Sequence, residues 1–203
     1  MPLHATLFDL GNVVLHVDWE PALAHWAARS VHPPAEVRRR FVVDEPFRRH
    51  ETGHLPAAGY FGHLRETLGL QCDDAHVEAG WNAILLHEIA ETLDVIDALR
   101  ARGVPCHALS NTNATHVDAI GRVFPALLPR FDRVFVSHEI GHRKPSPESF
   151  RHVLDVLSLA PGEVLFFDDL QDNVDAAKAL GIDAVLVRGP ADVRAAVLAR
   201  GLL

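Results

Sequence analysis

Ala5-Thr6-Leu7-Phe8-Asp9-Leu10-Gly11-Asn12-Val13 is the stretch on which the fold turns. Residues 5–8 form a short apolar run that stops at Asp9, and Gly11-Asn12 then supplies turn chemistry. This predicts a buried strand ending in a loop. Residues 13–17 read as a short extended segment folding back as a flap. From Trp19 to about Leu86 the pattern changes to helices, over 21–29, 34–43, 56–68 and 73–86, several opening on proline or aspartate. No strand is expected among them, so this is an all-helical insert.

Beyond the insert, strands and helices alternate. A helix over 89–102 closes on Gly103, and a strand over 104–109 ends at Ser110-Asn111-Thr112-Asn113. There follow a helix over 114–122, a strand over 133–136, a helix over 147–157 and a strand over 164–167 ending in Asp168-Asp169. A helix over 172–180, a strand over 184–187 and a helix over 192–199 complete the chain. Such alternation implies right-handed βαβ units and a parallel sheet covered on both faces. The fold class is therefore α/β, a Rossmann-like parallel core interrupted after its first strand. The core takes residues 1–17 and 87–203, and the helical insert takes 18–86.

Length and composition agree with this division. The 203 residues suit one large domain or a core of about 130 carrying a smaller insert. Apolar residues make up 48% and charged residues 23%, which excludes a disordered chain. Nineteen basic against 27 acidic residues leave a net charge of −8, which argues against a nucleic-acid or anionic-membrane partner but leaves room for a small anionic substrate. Cys72 and Cys106 form no metal-type cluster, as expected of a reduced cytoplasmic protein. No stretch approaches the roughly 20 apolar residues that span a bilayer. Residues 1–10 lack a basic leading segment and are interrupted by Asp9, so no signal peptide is expected.

In open α/β sheets the ligand crevice lies outside the carboxyl ends of the strands. Asp9, Ser110-Asn111 and Asp168-Asp169 follow three of the expected strands, and Lys144 lies in the loop after another. Each polar residue taken singly also fits as a cap of the following helix; together they deliver three carboxylates, a hydroxyl and an ammonium to one rim. Two like charges 4 Å apart repel by about 4 kcal/mol at an effective dielectric of 20. Either a carboxylate takes up a proton or a cation sits among them. Oxygen ligands of this kind suit Mg²⁺, with Mn²⁺ as a substitute, and Mg²⁺ also binds substrate phosphate. A carboxylate beside such an ion can act as a nucleophile and form an aspartyl-phosphate. Lys144 is one of only two lysines, the other being Lys178, in a chain otherwise rich in arginine. A compact ammonium differs from a planar guanidinium in a crowded anionic site.

Four segments, in order, carry a family resemblance. Leu7-Phe8-Asp9-Leu10-Gly11-Asn12-Val13, Leu109-Ser110-Asn111-Thr112-Asn113, Arg143-Lys144-Pro145 and Phe166-Phe167-Asp168-Asp169 resemble the four motifs of the haloacid dehalogenase-like hydrolases. The insert is similar to that family's C1-type cap, and the combination looks closest to a bacterial branch acting on α-D-glucose 1-phosphate. The resemblance implies that Asp9 is the nucleophile and a metal ligand, with the Gly11 carbonyl and Asp169 as further ligands and Asp168 assisting. Ser110, Asn111 and Lys144 would hold the phosphoryl group, and Asp172 and Asn173 would orient metal waters or cap their helix. The implied activity is Mg²⁺-dependent hydrolysis of a small phosphorylated metabolite, most simply a sugar phosphate.

One position departs from the pattern. Most phosphatases of this superfamily carry a second aspartate two residues after the nucleophile, serving as general acid and base; here that position is Gly11. Either the leaving group needs little protonation, as an anomeric hydroxyl does, or Asp18, His16 or a histidine of the insert substitutes, or turnover is slow. The segment 47–53 is where substrate contacts are expected, and Trp19, Trp26 and Trp81 offer either insert core or a stacking surface for a sugar. The 14 histidines form no zinc motif, and Arg38-Arg39-Arg40 reads as a solvated helix face. Two competing functions remain on sequence alone: a metal-independent carbon–halogen hydrolase of the same fold, and a catalytically weak phosphometabolite-binding or regulatory protein.

Overall fold

A strand buried along its whole length belongs in the middle of a sheet, and β1 (Ala5–Phe8) is such a strand. The computed structural model describes residues 3–203; Met1 and Pro2, part of the expected N-terminal segment, lie outside the described residues. After β1 come β2 (Leu15–Val17), α1 (Glu20–Ala27), α2 (Pro34–Arg40), α3 (Glu45–Glu51), α4 (Ala57–Leu68), α5 (Asp74–Asn82) and β3 (Leu85–Glu88). The rest of the chain alternates: α6 (Ala90–Ala101), β4 (Cys106–Ser110), α7 (Ala114–Val123), β5 (Arg133–Val136), α8 (Ser137–Ile140), α9 (Pro147–Leu157), β6 (Val164–Asp168), α10 (Gln171–Ala179), β7 (Asp183–Leu186) and α11 (Pro190–Ala199).

The main sheet runs β5-β4-β1-β6-β7, and every pairing in it is parallel. The chain fills one side of β1 with β4 and β5, then crosses to the other with β6 and β7. β1 is thus flanked by the two strands whose ends carry Ser110 and Asp168. Side chains alternate between the sheet faces. Phe8 and Phe167 stack at 4.9 Å in one buried cluster with Ile96 and Val193, while Leu7 and Phe166 join Phe150 and Val174 in the other.

The helical segment packs around its own apolar cluster, which includes Trp26, Val37, Tyr60, Leu68, Val77 and Trp81. Its helices run from 7 to 12 residues, too short to persist alone in water, so the shared cluster holds them. Gly80 admits Trp26: a Cβ there would sit 2.2 Å from the indole Nε1. Arg38 pairs with Glu20, and Arg39 and Arg40 with Glu36, on the exposed face expected for that run.

Two expectations for this segment are corrected. The helix expected to reach Leu86 stops at Asn82, and Leu85–Glu88 forms β3, antiparallel to β2, with Leu15 opposite Glu88. The chain therefore enters and leaves the helical segment on a two-stranded ribbon, although no strand was expected within 19–86. Four residues whose partner lies some 70 positions earlier leave no local periodicity to detect. The second helix ends at Arg40, and α3 occupies 45–51, where a turn was expected. Asp44 starts it, its Oδ1 accepting from the Phe47 amide at 3.0 Å. Among the described residues, no helix is long and apolar enough to cross a membrane.

Candidate active site

Asp9 leaves the end of β1 with its amide donating to the Phe167 carbonyl at 2.8 Å, which ties its backbone to the neighbouring strand. The chain then turns through Asn12 at φ 54°, a left-handed conformation that asparagine tolerates better than most residues. The Asn12 side chain accepts from the Val17 amide at 3.1 Å and donates to Asp169 Oδ2 at 3.3 Å. One residue thereby fixes both the ribbon and a carboxylate at the end of β6.

Lys144 lies beneath this rim, 1% exposed. Its three ammonium donors meet Asp9 Oδ1 at 2.8 Å, Asp168 Oδ2 at 2.6 Å and the Leu109 carbonyl at 2.8 Å. Burial works against its charge, yet Asp9 and Asp168 together hold its pKa above the ordinary lysine value. The loop carrying Lys144 is clamped by Asn111, whose Nδ2 donates to the Lys144 carbonyl and whose Oδ1 accepts from the Lys144 amide, both at 2.8 Å. Asp168, fully buried, also accepts from the Leu170 amide at 2.9 Å and from Asn173 Nδ2 at 2.8 Å. It anchors Lys144 from below.

Asp9, Asp168 and Asp169 place carboxylate oxygens within 4.8 Å of one another, the sole metal-type group among the described residues. Burial and like charge act together on two of them. Burial, reinforced by Asp168 and Asp169 and opposed by Lys144, pushes Asp9 up to about 7. Burial and Asp168 likewise raise Asp169. A hard divalent cation relieves this repulsion, and oxygen donors are the ligands such a cation takes.

A cleft of about 300 Å³ opens above the rim. Asp9, Gly11, Ser110, Asn111, Lys144 and Asp169 line its floor, and Trp19, Phe47, Trp81 and Ile84 line the wall contributed by the helical segment. Trp26 sits instead in the helical core. Asp18 and His16 do not line the cleft: Asp18 accepts from the Glu20 amide, and His16 packs on His87.

Several residues at the joint between helical segment and sheet escaped the sequence reading. Glu51, the last residue of α3, reaches Arg143 Nε at 2.8 Å, and its carbonyl accepts from Ser137 Oγ at 2.5 Å. Trp81 Nε1 donates to Asn113 Oδ1 at 3.2 Å, and the Trp81 carbonyl accepts from His116 Nε2 at 2.9 Å. Asn113 was recognisable as a helix cap, and Glu51 lies in the segment where substrate contacts were expected. Their pairing across the joint has no local signature.

The family model described as "haloacid dehalogenase-like hydrolase" matches residues 3–181. D-ribitol-5-phosphate phosphatase of Bacteroides thetaiotaomicron is 25% identical over 193 residues, covering 93% of each chain. Phosphatase MT3486 of Mycobacterium tuberculosis is 26% identical over 197 residues, covering 92% of this chain and 88% of that one. The crystal structure of the HAD family enzyme bt-2542 from Bacteroides thetaiotaomicron, in complex with magnesium and inorganic phosphate, superposes with a TM-score of 0.80 at 27% identity, covering 92% of this chain and 94% of that one. The family match covers most of the chain, and the chain belongs to the haloacid dehalogenase-like hydrolases.

Proposed function

We propose that the protein is a Mg²⁺-dependent phosphomonoesterase, Mn²⁺ substituting, that hydrolyses a small phosphorylated metabolite through an aspartyl-phosphate on Asp9. The observation that carries this is the meeting of Asp9, Asp168 and Asp169 within 4.8 Å beside the buried Lys144. Asp9, Asp169 and the Gly11 carbonyl would hold the cation, with Asp168 behind them. When bound, the cation offsets the charge between carboxylate and incoming phosphate.

Asp9 attacks phosphorus as the bond to the leaving oxygen breaks, and water then cleaves the aspartyl-phosphate to return Asp9 and release phosphate. Lys144, already against Asp9, would turn part of its charge to the phosphoryl oxygens, joined by Ser110 Oγ and the main-chain amide of Asn111. The helical segment 18–86 acts as a cap that shields this chemistry from water and selects the leaving group, over a core of residues 1–17 and 87–203. A sugar phosphate such as glucose 1-phosphate is the substrate favoured, since Trp19 presents aromatic surface above the rim. We place the activity in the cytoplasm, in keeping with two free cysteines.

The test is phosphate release from a panel of sugar, polyol and aryl phosphates with Mg²⁺ or with EDTA, using Asp9→Asn as control. Turnover that requires both metal and Asp9 is expected. Turnover indifferent to EDTA, or equal in Asp9→Asn, sinks the mechanism.

A further inference from the structure

Gly11 has no side chain with which to protonate a leaving group, so an acid for basic leaving groups would come from elsewhere in the cleft. The titratable groups lining the cleft are Asp9, Glu51, His116, Arg143, Lys144 and Asp169. Asp9 and Asp169 belong to the nucleophile and cation cluster. Lys144 has all three donors committed, and arginine does not give up its proton. His116 has both ring nitrogens engaged, with Asn113 and with the Trp81 carbonyl, and burial holds it neutral, its pKa down at about 4. One group is left.

We propose that Glu51 is the general acid and base of the reaction, supplied by the helical segment in place of the absent aspartate at position 11. It rests on the phosphatase reading above. Glu51 stands at the end of α3, buried, with its backbone fixed by Ser137 and Oε2 held by Arg143. Oε1 takes no hydrogen bond within the described residues, and that oxygen carries the proton. The groups facing Glu51 are Arg143 and Lys144 from the loop after α8, which favour its ionised form, and Tyr60 from α4. Burial outweighs the two cations and raises the carboxyl above the ordinary glutamate range, toward the protonated form an acid needs.

Asp9 attacks phosphorus, the P–O bond to the leaving group breaks, and the departing oxygen takes its electron pair and the Glu51 proton to leave as an alcohol. Glu51, now a carboxylate, removes a proton from the water that attacks the aspartyl-phosphate. The P–O bond to Asp9 breaks, phosphate departs, and Glu51 is protonated again.

The test compares wild type with Glu51→Gln on phosphate monoesters of rising leaving-group basicity, from p-nitrophenyl phosphate to alkyl and sugar phosphates, with Mg²⁺ present. A nitrophenolate leaves without a proton, so in kcat/KM, which ends at departure of the leaving group, Glu51→Gln should lose on the order of 10²-fold more on alkyl phosphates than on p-nitrophenyl phosphate, while kcat falls on every ester because the attacking water loses its base. A urea midpoint close to that of the wild type certifies the fold. A uniform loss of kcat/KM across the series would make the Glu51–Arg143 pair structural, and no loss anywhere would make it irrelevant; either overturns the proposal. Should Glu51→Gln not fold, the wild type decides alone: a shallow dependence of kcat/KM on leaving-group basicity supports an acid in the cleft, and a steep one overturns it. A wild type inactive even on p-nitrophenyl phosphate refutes the phosphatase reading itself.

Discussion

Lys144 Nζ lies 2.6 Å from Asp168 Oδ2 in a pair with almost no access to water, the lysine 1% exposed and the aspartate 0%. The same ammonium reaches Asp9 at 2.8 Å, so one cation balances two carboxylates from adjacent strands. Removing one partner of a buried pair leaves an uncompensated charge, at a cost of about 3–5 kcal/mol. Lys144→Met should therefore lose stability on that scale in urea unfolding with EDTA. Mg²⁺ should recover part of the loss, because it offsets the same carboxylates. A variant as stable as wild type would mean the aspartates tolerate each other without the ammonium.

Gly53 turns the chain two residues beyond Glu51. Its φ is 74°, and a Cβ there would stand 2.3 Å from the His138 carbonyl oxygen, a backbone atom that cannot step aside. Gly53→Ala should push the end of α3 away from α8, carrying Glu51 with it. The expected result is destabilisation of about 1–3 kcal/mol and a fall in kcat on alkyl phosphates. Unchanged urea midpoint and kinetics would show that this joint yields freely.

Asn113 serves two elements at once. Its Oδ1 caps α7 by accepting from the His116 amide at 3.1 Å and also accepts from the Trp81 indole. Asn113→Ala removes the cap, worth about 1 kcal/mol, and leaves a buried indole N–H unpaired, at a cost of about 1–3 kcal/mol. Urea unfolding should register the sum. A urea midpoint unchanged from that of the wild type would show that the oxygen is not what matters.

The rim was legible because each of its residues is tied to a strand end. Asp9, Ser110 and Asp168-Asp169 stand where an apolar run breaks into polar residues, and the parallel sheet brings such breaks to one edge. Lys144 drew notice through its rarity, but nothing in the sequence says that it would be buried between Asp9 and Asp168. What stayed hidden depends on pairing between distant segments. β3 has no period of its own in four residues and exists through β2, whose partner register joins Leu15 to Glu88. Glu51, Ser137 and Arg143 come from a helix and two separate parts of the sheet's rim, and only the docking of the helical segment brings them together. The Asn111 side chain likewise proved to be a loop clamp, a role set by where Lys144 runs.

The Trp81–Asn113–His116 joint carries the last prediction, because its hydrogen bonds dictate a tautomer. A carbonyl only accepts, so His116 Nε2 carries the hydrogen directed at the Trp81 oxygen. Nδ1 is then the acceptor for Asn113 Nδ2 at 3.1 Å. Protonating Nδ1 would set donor against donor, and burial already lowers the pKa from 6.5 to about 4. The sign follows from linkage. Above pH 6.5 the ring is neutral whether the chain is folded or not, and its contribution is fully present. As the pH falls from 6.5 toward 4, the unfolded chain takes a proton that the folded one refuses, and stability is lost, by roughly 2 kcal/mol between pH 7 and pH 5. His116→Gln should be less stable than wild type at pH 7 yet lack this share of the decline. Urea midpoints at the two pH values for both proteins provide the readout. An equal decline in both would move its origin to the other buried imidazoles, His50 and His107, whose pKa values burial also lowers.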